Sequence, residues 1–543
     1  MAATASLPEL APKSDPKPAP MTPIADLGGN YGRVRWFLLF GFVLASILEV
    51  LDTSIINPVL PQMAGSLGAT TEEIAWVSTA YILANVIVLP MTAWLSRRFG
   101  LKRYMLGSIL LFIGASALCG FSNSLGQIII WRLVQGAAGA PLISMTQAAL
   151  AEVFPRKEQT IAQGIWAIGI TVAPSVAPAL GGWLSDNYSW PLIFLINVPI
   201  GILTVLVIGS LFREIERPPA GRPDWLGIGL LALGLGSVQY VLEEGNQKDW
   251  FDSSLILQLS IVGLVCTSLF VVWQLSKRNL APIVDLRVLK DRTMGSGFIV
   301  SFVAGMGLYS GLFIFPLFAQ AVLGFTAFRS GMFLLFPGII LGIGMMATGI
   351  MMEKGVPARD LALVGTLVFI GSMWLLGHST PMSNESDDQI ALAIRGVGLA
   401  LILLPITIAG IANLKGAAVG AGAALLGLAR QLGGSIGIAI ASTYLTRMIQ
   451  FHRYGLMDNV NSGNPLAEDR LNLLSGSFYA QGMDTDKARM AAEKVLDLQI
   501  TQQAYAMASN NVFILTGVLF AIAVPFIFLI KRVRGGGAAV AAH

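Results

Sequence analysis

Along most of this chain, uninterrupted apolar stretches of about twenty residues alternate with short polar or basic turns. Twenty residues is the length at which a helix, rising 1.5 Å per residue, crosses the ~30 Å hydrocarbon core of a bilayer. About fourteen such runs occur: roughly 36–56, 74–95, 104–122, 126–151, 160–183, 191–211, 224–243, 254–275, 295–318, 329–351, 361–378, 390–412, 416–445 and 508–531. Three polar stretches break the rhythm. Arg213 to Asp224 is Pro-rich and Lys277 to Arg292 is strongly basic, and together they bracket a two-span unit. The expected order is six spans, a two-span insert and six more. The third stretch, about 446–507, is long. From Asp484 onward it carries Ala, Met, Val and Leu at helical spacing with charges opposite, which predicts an amphipathic helix. That helix lies on the protein's own mouth, on the membrane surface or on a partner.

Composition sharpens this picture. Hydrophobic residues make up 55% of the 543, charged residues 12%, and mean hydropathy is +0.70, against roughly 25% charged in an average globular protein. The chain is expected to be a polytopic all-helical membrane protein. Basic residues test the span count: Arg33, Arg35, Arg97, Arg98, Lys102, Arg103, Lys277, Arg278, Lys354 and Lys531 all fall on one side when the fourteen runs are threaded in order. By the positive-inside rule that side is cytoplasmic, with both termini on it. The net charge of +4 then reflects topology rather than nucleic-acid binding. Residues 1 to about 32 hold Pro8, Pro12, Pro16, Pro18, Pro20 and Pro23 without an apolar core; they read as a disordered tail and not a signal peptide, leaving the first span as targeting signal. Cys119 and Cys266 lie in separate runs, and His378, His452 and His543 lie outside them, so neither a disulfide nor an intramembrane metal site is expected.

The chemistry resides in charges that the apolar runs ought not to contain. Glu49 and Asp52 sit in the first run, three residues apart and therefore on one helical face. A charge at membrane depth costs about 2.5–3.5 kcal/mol even on the lenient insertion scale, so it persists where a proton, an ion or a partner charge uses it. Two close acids titrate as a coupled pair. Asp52 is the first candidate for a proton-carrying group and Glu49 the second; the alternative for Asp52 is a structural cap or ion pair. Arg132 lies in the fourth run with Gln135 on the same face. A guanidinium facing a carboxylate makes a switch, because protonating the acid releases the arginine; the alternative is an interfacial Arg that snorkels outward. Arg430 lies deeper and suits a buried pairing role, whereas Arg395 stands near the outer end of its run, where snorkelling and function are both open. For a hydrophobic ligand, Trp76, Tyr81, Asn85, Gln147, Asn197, Tyr309, Phe313 and Gln320 offer aromatic walls with a few polar groups. The same residues serve packing when they face lipid or neighbouring helices.

From Leu51 the sequence reads Leu-Asp-Thr-Ser-Ile-Ile-Asn-Pro-Val-Leu-Pro, followed in order by Trp94-Leu-Ser-Arg-Arg-Phe-Gly-Leu-Lys-Arg, Arg132-Leu-Val-Gln-Gly, Ala177-Pro-Ala-Leu-Gly-Gly, Asp186-Asn-Tyr-Ser-Trp-Pro-Leu-Ile-Phe-Leu-Ile-Asn and Asp224-Trp-Leu-Gly. Across almost the whole chain this resembles the 14-span drug:proton antiporters of the major facilitator superfamily, the EmrB/QacA family, and within it the EmrB-type pumps of Gram-negative inner membranes. The resemblance implies an all-α integral membrane protein of the major facilitator fold with 14 transmembrane helices (6 + 2 + 6). The expected division is a cytoplasmic tail at 1–35, a six-helix bundle at 36–211, an insert with linkers at 212–294, a second bundle at 295–531 containing the periplasmic loop 446–507, and a tail at 532–543. It also implies proton roles for Asp52 and Arg132, but does not cover Glu49. The implied function is not enzymatic: proton-coupled export of hydrophobic or amphipathic drugs by alternating access, or of one endogenous molecule such as a siderophore, fatty acid or metabolite. The proton gradient drives it without a cofactor. The implied partners are an EmrA-type periplasmic adaptor and a TolC-type outer-membrane channel.

Two departures from the family pattern matter. The loop after the second run reads Ala93-Trp-Leu-Ser-Arg97-Arg98, without the acidic member usual in the superfamily's charge relay, and Ala177 stands where Gly precedes Pro178. Gating is expected at Pro178, Gly181, Gly182, Arg97, Arg98 and Arg430. Gly181-Gly182 in the fifth run has an echo in Gly433-Gly434 of the thirteenth, at the matching place in the second set of six; small residues let such helices approach closely and slide.

The threading is checked by labelling. With Cys119 and Cys266 replaced by alanine, an impermeant maleimide applied to intact cells should modify Ser462→Cys and not Ser276→Cys; modification of the second would invert the topology.

Overall fold

A computed structural model describes residues 31–214, 223–279, 282–380, 383–414, 417–458, 460 and 464–532. The N-terminal tail up to residue 30, most of the Pro-rich linker and the Gly-rich C-terminus lie outside the described residues. The described chain is all-helical, with fourteen helices long and apolar enough to cross a membrane. Spans one to six are Val34–Ile55, Glu73–Phe99, Leu101–Gly120, Leu125–Val153, Ile161–Asn187 and Leu192–Leu211. Spans seven and eight are Trp225–Glu244 and Ser254–Leu275. Spans nine to fourteen are Arg292–Ala321, Met332–Glu353, Ala358–Leu376, Glu385–Ile411, Leu425–Asp458 and Thr485–Leu529.

Local chemistry sets where these helices start and break. Thr70 and Glu73 form a capping box before span two: the Thr70 hydroxyl accepts from the Glu73 amide at 3.2 Å, and the Glu73 carboxylate accepts from the Thr70 amide at 2.8 Å. Asp291 caps span nine by accepting from the amides of Thr293 and Met294. Pro141, lacking an N–H, divides span four into the helices Leu125–Gly139 and Pro141–Val153. Close approach decides two helix pairs. A Cβ at Gly181 would collide with the Ile55 carbonyl, so spans one and five touch backbone to backbone there, and a Cβ at Gly433 would collide with the Phe302 carbonyl between spans nine and thirteen. Gly182, by contrast, faces open space.

Span one packs against spans four, five and six, and span nine against spans twelve, thirteen and fourteen. Spans five and ten join the two sets, Gly342 and Met346 of span ten meeting Ile168 and Gly164 of span five. These contacts lie toward the face on which span one begins, where Arg35 bonds Glu158 at the start of the span-five helix at 2.7 Å.

Spans seven and eight lean on the rest of the body mainly through span seven. Span seven packs against span two, with Trp76 against Tyr240 at 5.4 Å and Thr79 reaching Glu244 at 3.5 Å, and it touches span thirteen. Span eight covers it and turns Leu264 and Val272 outward, as a lipid-facing helix should. Asp224 ties the pair together: its carboxylate accepts from the Gly227 amide (2.8 Å), Trp273 (2.8 Å), Gln274 (2.9 Å) and Asn279 (2.7 Å). Burial alone would raise its pKa, but these donors outweigh that and hold the carboxyl below its ordinary range.

The described part of the stretch 446–507 is mostly helical, with a turn at 481–484. The span-thirteen helix continues as Ala417–Asp458, a separate helix covers Pro465–Ala480, and Thr485–Ala521 runs without a break into span fourteen. Arg453 and Asp497 bridge the two long helices at 2.6 Å. The expected helix from residue 484 is present. Ala488 and Ala492 are buried, whereas Met490 and Leu498 are 57% and 67% exposed. Alanines permit closer helix packing, and that rotates the larger side chains outward.

Candidate functional site: a buried ion pair and a second carboxylate

Span one buries a face that runs from Leu38 through Phe42, Ala45 and Leu48, and the same 3.6-residue periodicity carries Glu49 and Asp52 inward. Asp52 and Arg132 are each 1% exposed and form an ion pair through Nη1 and Oδ2. The second carboxylate oxygen accepts from Gln135 Nε2 and Asn197 Nδ2, both at 2.8 Å. Ser116 receives from the same two amides at 3.0 and 3.1 Å and donates to the Phe194 carbonyl at 2.9 Å. Arg132 also donates through Nε to the Val77 carbonyl (2.8 Å) and through Nη1 to Gln135 Oε1 (3.0 Å), and its planar group lies over the Tyr81 ring, 4.3 Å from the centroid. Five spans, the first, second, third, fourth and sixth, therefore meet at one neutral cluster. A buried pair offsets its desolvation only when its other lone pairs and protons are also satisfied, and here most are.

Glu49 is held differently. Its Oε1 accepts from Asn85 Nδ2 at 2.9 Å, and Oε2 from the backbone amide of Ile143 at 3.3 Å. That amide lies in the first turn after Pro141, where the broken helix leaves N–H groups without an intrahelical partner. Among the described residues no cation pairs with Glu49, so its proton can come or go without breaking an ion pair. Across from it, the Tyr309 phenol lies within electrostatic reach of both Glu49 and Arg430. A further polar knot, not expected from the sequence, links Ser46 to Thr146 at 2.7 Å and Trp166 to both at 2.9 and 3.2 Å.

The sequence candidates thus separate. Tyr81 and Asn197 belong to the ion-pair cluster and Asn85 to the Glu49 site. Tyr309 stacks over Gly434 and faces the centre, and Phe313 is half-buried against the main core. Trp76 lies beneath the insert, Gln147 is half-buried, and Gln320 is exposed at the far end of span nine. Arg132 does not snorkel. Arg97 bonds back to the Ala93 carbonyl at 3.3 Å and Arg98 is exposed, both in the last turn of span two; Pro178 is half-buried inside span five. Among the described residues there is no cluster of metal-ligating side chains.

A fourteen-span helical body with charged groups buried at its centre defines a membrane transporter. The chain belongs to the Major Facilitator Superfamily, which residues 23–438 match; that is a family of transporters and not of enzymes. It is 32% identical over 495 residues to the multidrug export protein EmrB of Escherichia coli K12, covering 91% of this chain and 95% of that one. It is 31% identical over 500 residues to the fatty acid resistance protein FarB of Neisseria gonorrhoeae, covering 91% and 96%. Among solved structures, the human organic anion transporter MFSD10 matches with a TM-score of 0.52 over 90% of this chain and 99% of that one, at 13% identity, which bears on the fold alone.

The ion pair is testable by a double-mutant cycle on thermal unfolding in detergent. Arg132→Gln should lower stability, and adding Asp52→Asn should restore part of the loss, with a coupling of roughly 0.5–3 kcal/mol. Losses that simply add would mean that the two side chains do not support one another.

Proposed function

We propose that this chain exports hydrophobic or amphipathic compounds across the inner membrane of a bacterium in exchange for protons, by alternating access of two six-helix bundles at 36–211 and 295–531. The observation that carries the reading is the pairing of unlike acids one turn apart: Asp52 neutralised by Arg132, and Glu49 held by neutral donors alone. A proton arriving at Asp52 removes the negative charge and leaves Arg132 in excess, which loosens the junction of spans one and four. Loss of that proton to the cytoplasm restores the pair. Glu49, with Tyr309 and Arg430 opposite, faces the space a substrate would occupy, and Phe313, Asn85 and Gln147 contribute its walls. Tyr81 and Asn197 support the proton site rather than the substrate. Gating falls to Pro178, Gly181 and Gly182 in span five, to Arg97 and Arg98 beside the cytoplasm, and to Arg430. The face on which span one begins is cytoplasmic, which accords with the basic residues gathered there.

Similarity to EmrB favours a broad drug range; similarity to FarB favours a second reading, export of one endogenous amphiphile such as a fatty acid. The breadth of compounds moved by inverted vesicles separates the two. Asp52→Asn mimics the protonated state and should keep the protein folded while abolishing drug-induced proton release. Normal release in that variant would remove Asp52 from coupling and leave Glu49 as the carrier.

The helical projection formed by Ala417–Asp458, Pro465–Ala480 and Thr485–Ala521 suits docking of an EmrA-type adaptor that leads to a TolC-type channel. Its outward Tyr454, Leu466, Leu473, Met490 and Leu498 give an apolar surface that a site in the membrane does not need. Met490→Glu with Leu498→Glu should abolish co-purification with the adaptor while transport in reconstituted vesicles survives; undiminished co-purification would assign the projection to the transporter's own mouth.

A further inference from the structure

Asp52 and Arg132 are sealed from water, each 1% exposed. Asp52 Oδ1 already accepts from Gln135 and Asn197, and Oδ2 from Arg132. A proton bound for this carboxylate has to come through a neighbouring group. Glu49 is better placed to meet water first: it is 9% exposed and held by neutral donors alone. The two acids stand three residues apart on span one, a rise of roughly 4.5 Å. Among the described residues no hydrogen bond joins them, so a link has to come from another helix.

Tyr81 of span two lies at that gap, and two helices fix it there independently. On span two it precedes by one turn Asn85, which donates to Glu49, and its ring lies under the Arg132 guanidinium. On span four its hydroxyl oxygen faces Gly139, where a Cβ would come within 2.6 Å of it. Gly139 follows Gln135, which holds Asp52, by one turn, and precedes Ile143, whose amide holds Glu49, by one turn. The phenol is thus level with the step between the two acids and within electrostatic reach of both. It is 1% exposed, and its hydroxyl makes no hydrogen bond; Asn85 is near enough to act on it without bonding it. A buried hydroxyl left without a partner is unfavourable, and a structural role would have satisfied it. On the other side of Glu49 the polar groups are saturated. Ser46 and Thr146 bond each other, Trp166 and the carbonyls of Phe42 and Ile143.

We propose that the Tyr81 phenol relays protons between Glu49 and Asp52. A phenol both accepts and donates at one oxygen. As the Glu49 carboxyl gives its proton to that oxygen, the phenol's own proton passes to Asp52 Oδ2, which has a lone pair that Arg132 does not take. Glu49 is left ionised, the phenol is regenerated, Asp52 is neutral and Arg132 is released. The reverse sequence returns the proton. Glu49 is then the port and Asp52 the switch, and coupling belongs to the two together. This deepens the export reading and rests on it for the direction of net proton flow.

Rapid-scan infrared spectroscopy after an acid jump follows both carboxyls in purified full-length protein, without any need for transport. Asp52→Asn and Glu49→Gln each delete one protonated-carboxyl band and so assign it. In the wild type the Glu49 band should rise first and the Asp52 band should follow. Tyr81→Phe keeps the ring and removes only the hydroxyl: the Glu49 band should keep its rate, and the Asp52 band should slow by about a hundredfold. Because no hydrogen bond is lost, the Tm of this variant should not fall. Glu49→Gln should slow Asp52 likewise. A wild-type Asp52 rate in Tyr81→Phe would overturn the relay and give the path to water. Equal slowing of both bands would overturn it too, as would an Asp52 that takes up no proton in the wild type. So would a lowered Tm or a failure to fold, which would mean that the hydroxyl is bonded within the protein. Proton-driven ethidium efflux separates this from the export reading. If wild-type vesicles move no ethidium while Tyr81→Phe delays Asp52, export fails and the relay survives; ethidium efflux with no such delay has the opposite meaning.

Discussion

The organising constraint is the cost of holding charge where water is absent. Asp52 and Arg132 are tolerated because donors and acceptors from spans two, three, four and six surround them. Gln135 and Asn197 must reach the same carboxylate oxygen, Ser116 must stand between their amides, and Val77 must turn its carbonyl to Nε. The positions of five spans are therefore tied to one another by a few hydrogen bonds at their meeting point. In a solvent that offers no hydrophobic drive between helices, such polar contacts and the close approach of small residues do the fastening.

The same cost made this part of the molecule legible. Fourteen apolar runs are conspicuous because lipid demands length and apolarity together, and charges within them are conspicuous because each is expensive. Asp52, Glu49, Arg132 and the shared face of Gln135 could be read from spacing. Ser116 could not, since serine in an apolar helix usually bonds its own backbone. Nor could the Ile143 amide, which owes its availability to Pro141, a residue whose effect is felt two positions later on the opposite partner. Trp76 fitted the chemistry of a pocket wall, but span seven covers it, and periodicity along one helix does not show which neighbour covers which face.

The contacts of the outer helices are hard to read from the sequence for a related reason. Ala488 and Ala492 carry little hydrophobic weight, yet they are the buried residues there, while Met490 and Leu498 stay exposed. Helices that pack closely prefer the small side. Arg395 was equally ambiguous: ten residues into a long helix, it lies within reach of an interface by length alone, and only the backbone of span nine at Gly311 shows the side chain to be turned inward.

The helix Thr485–Ala521 enters the membrane without a joint, and 37 residues make a rod of about 55 Å. A tilt of about 15°, the size of known subunit rotations, would sweep the far end of such a rod through about 14 Å. Arg453 and Asp497 clamp it to the neighbouring rod, so the pair would swing as a single lever. Any small rearrangement deep in the lipid would then be magnified outside it, without a hinge and without a signal passing through side chains.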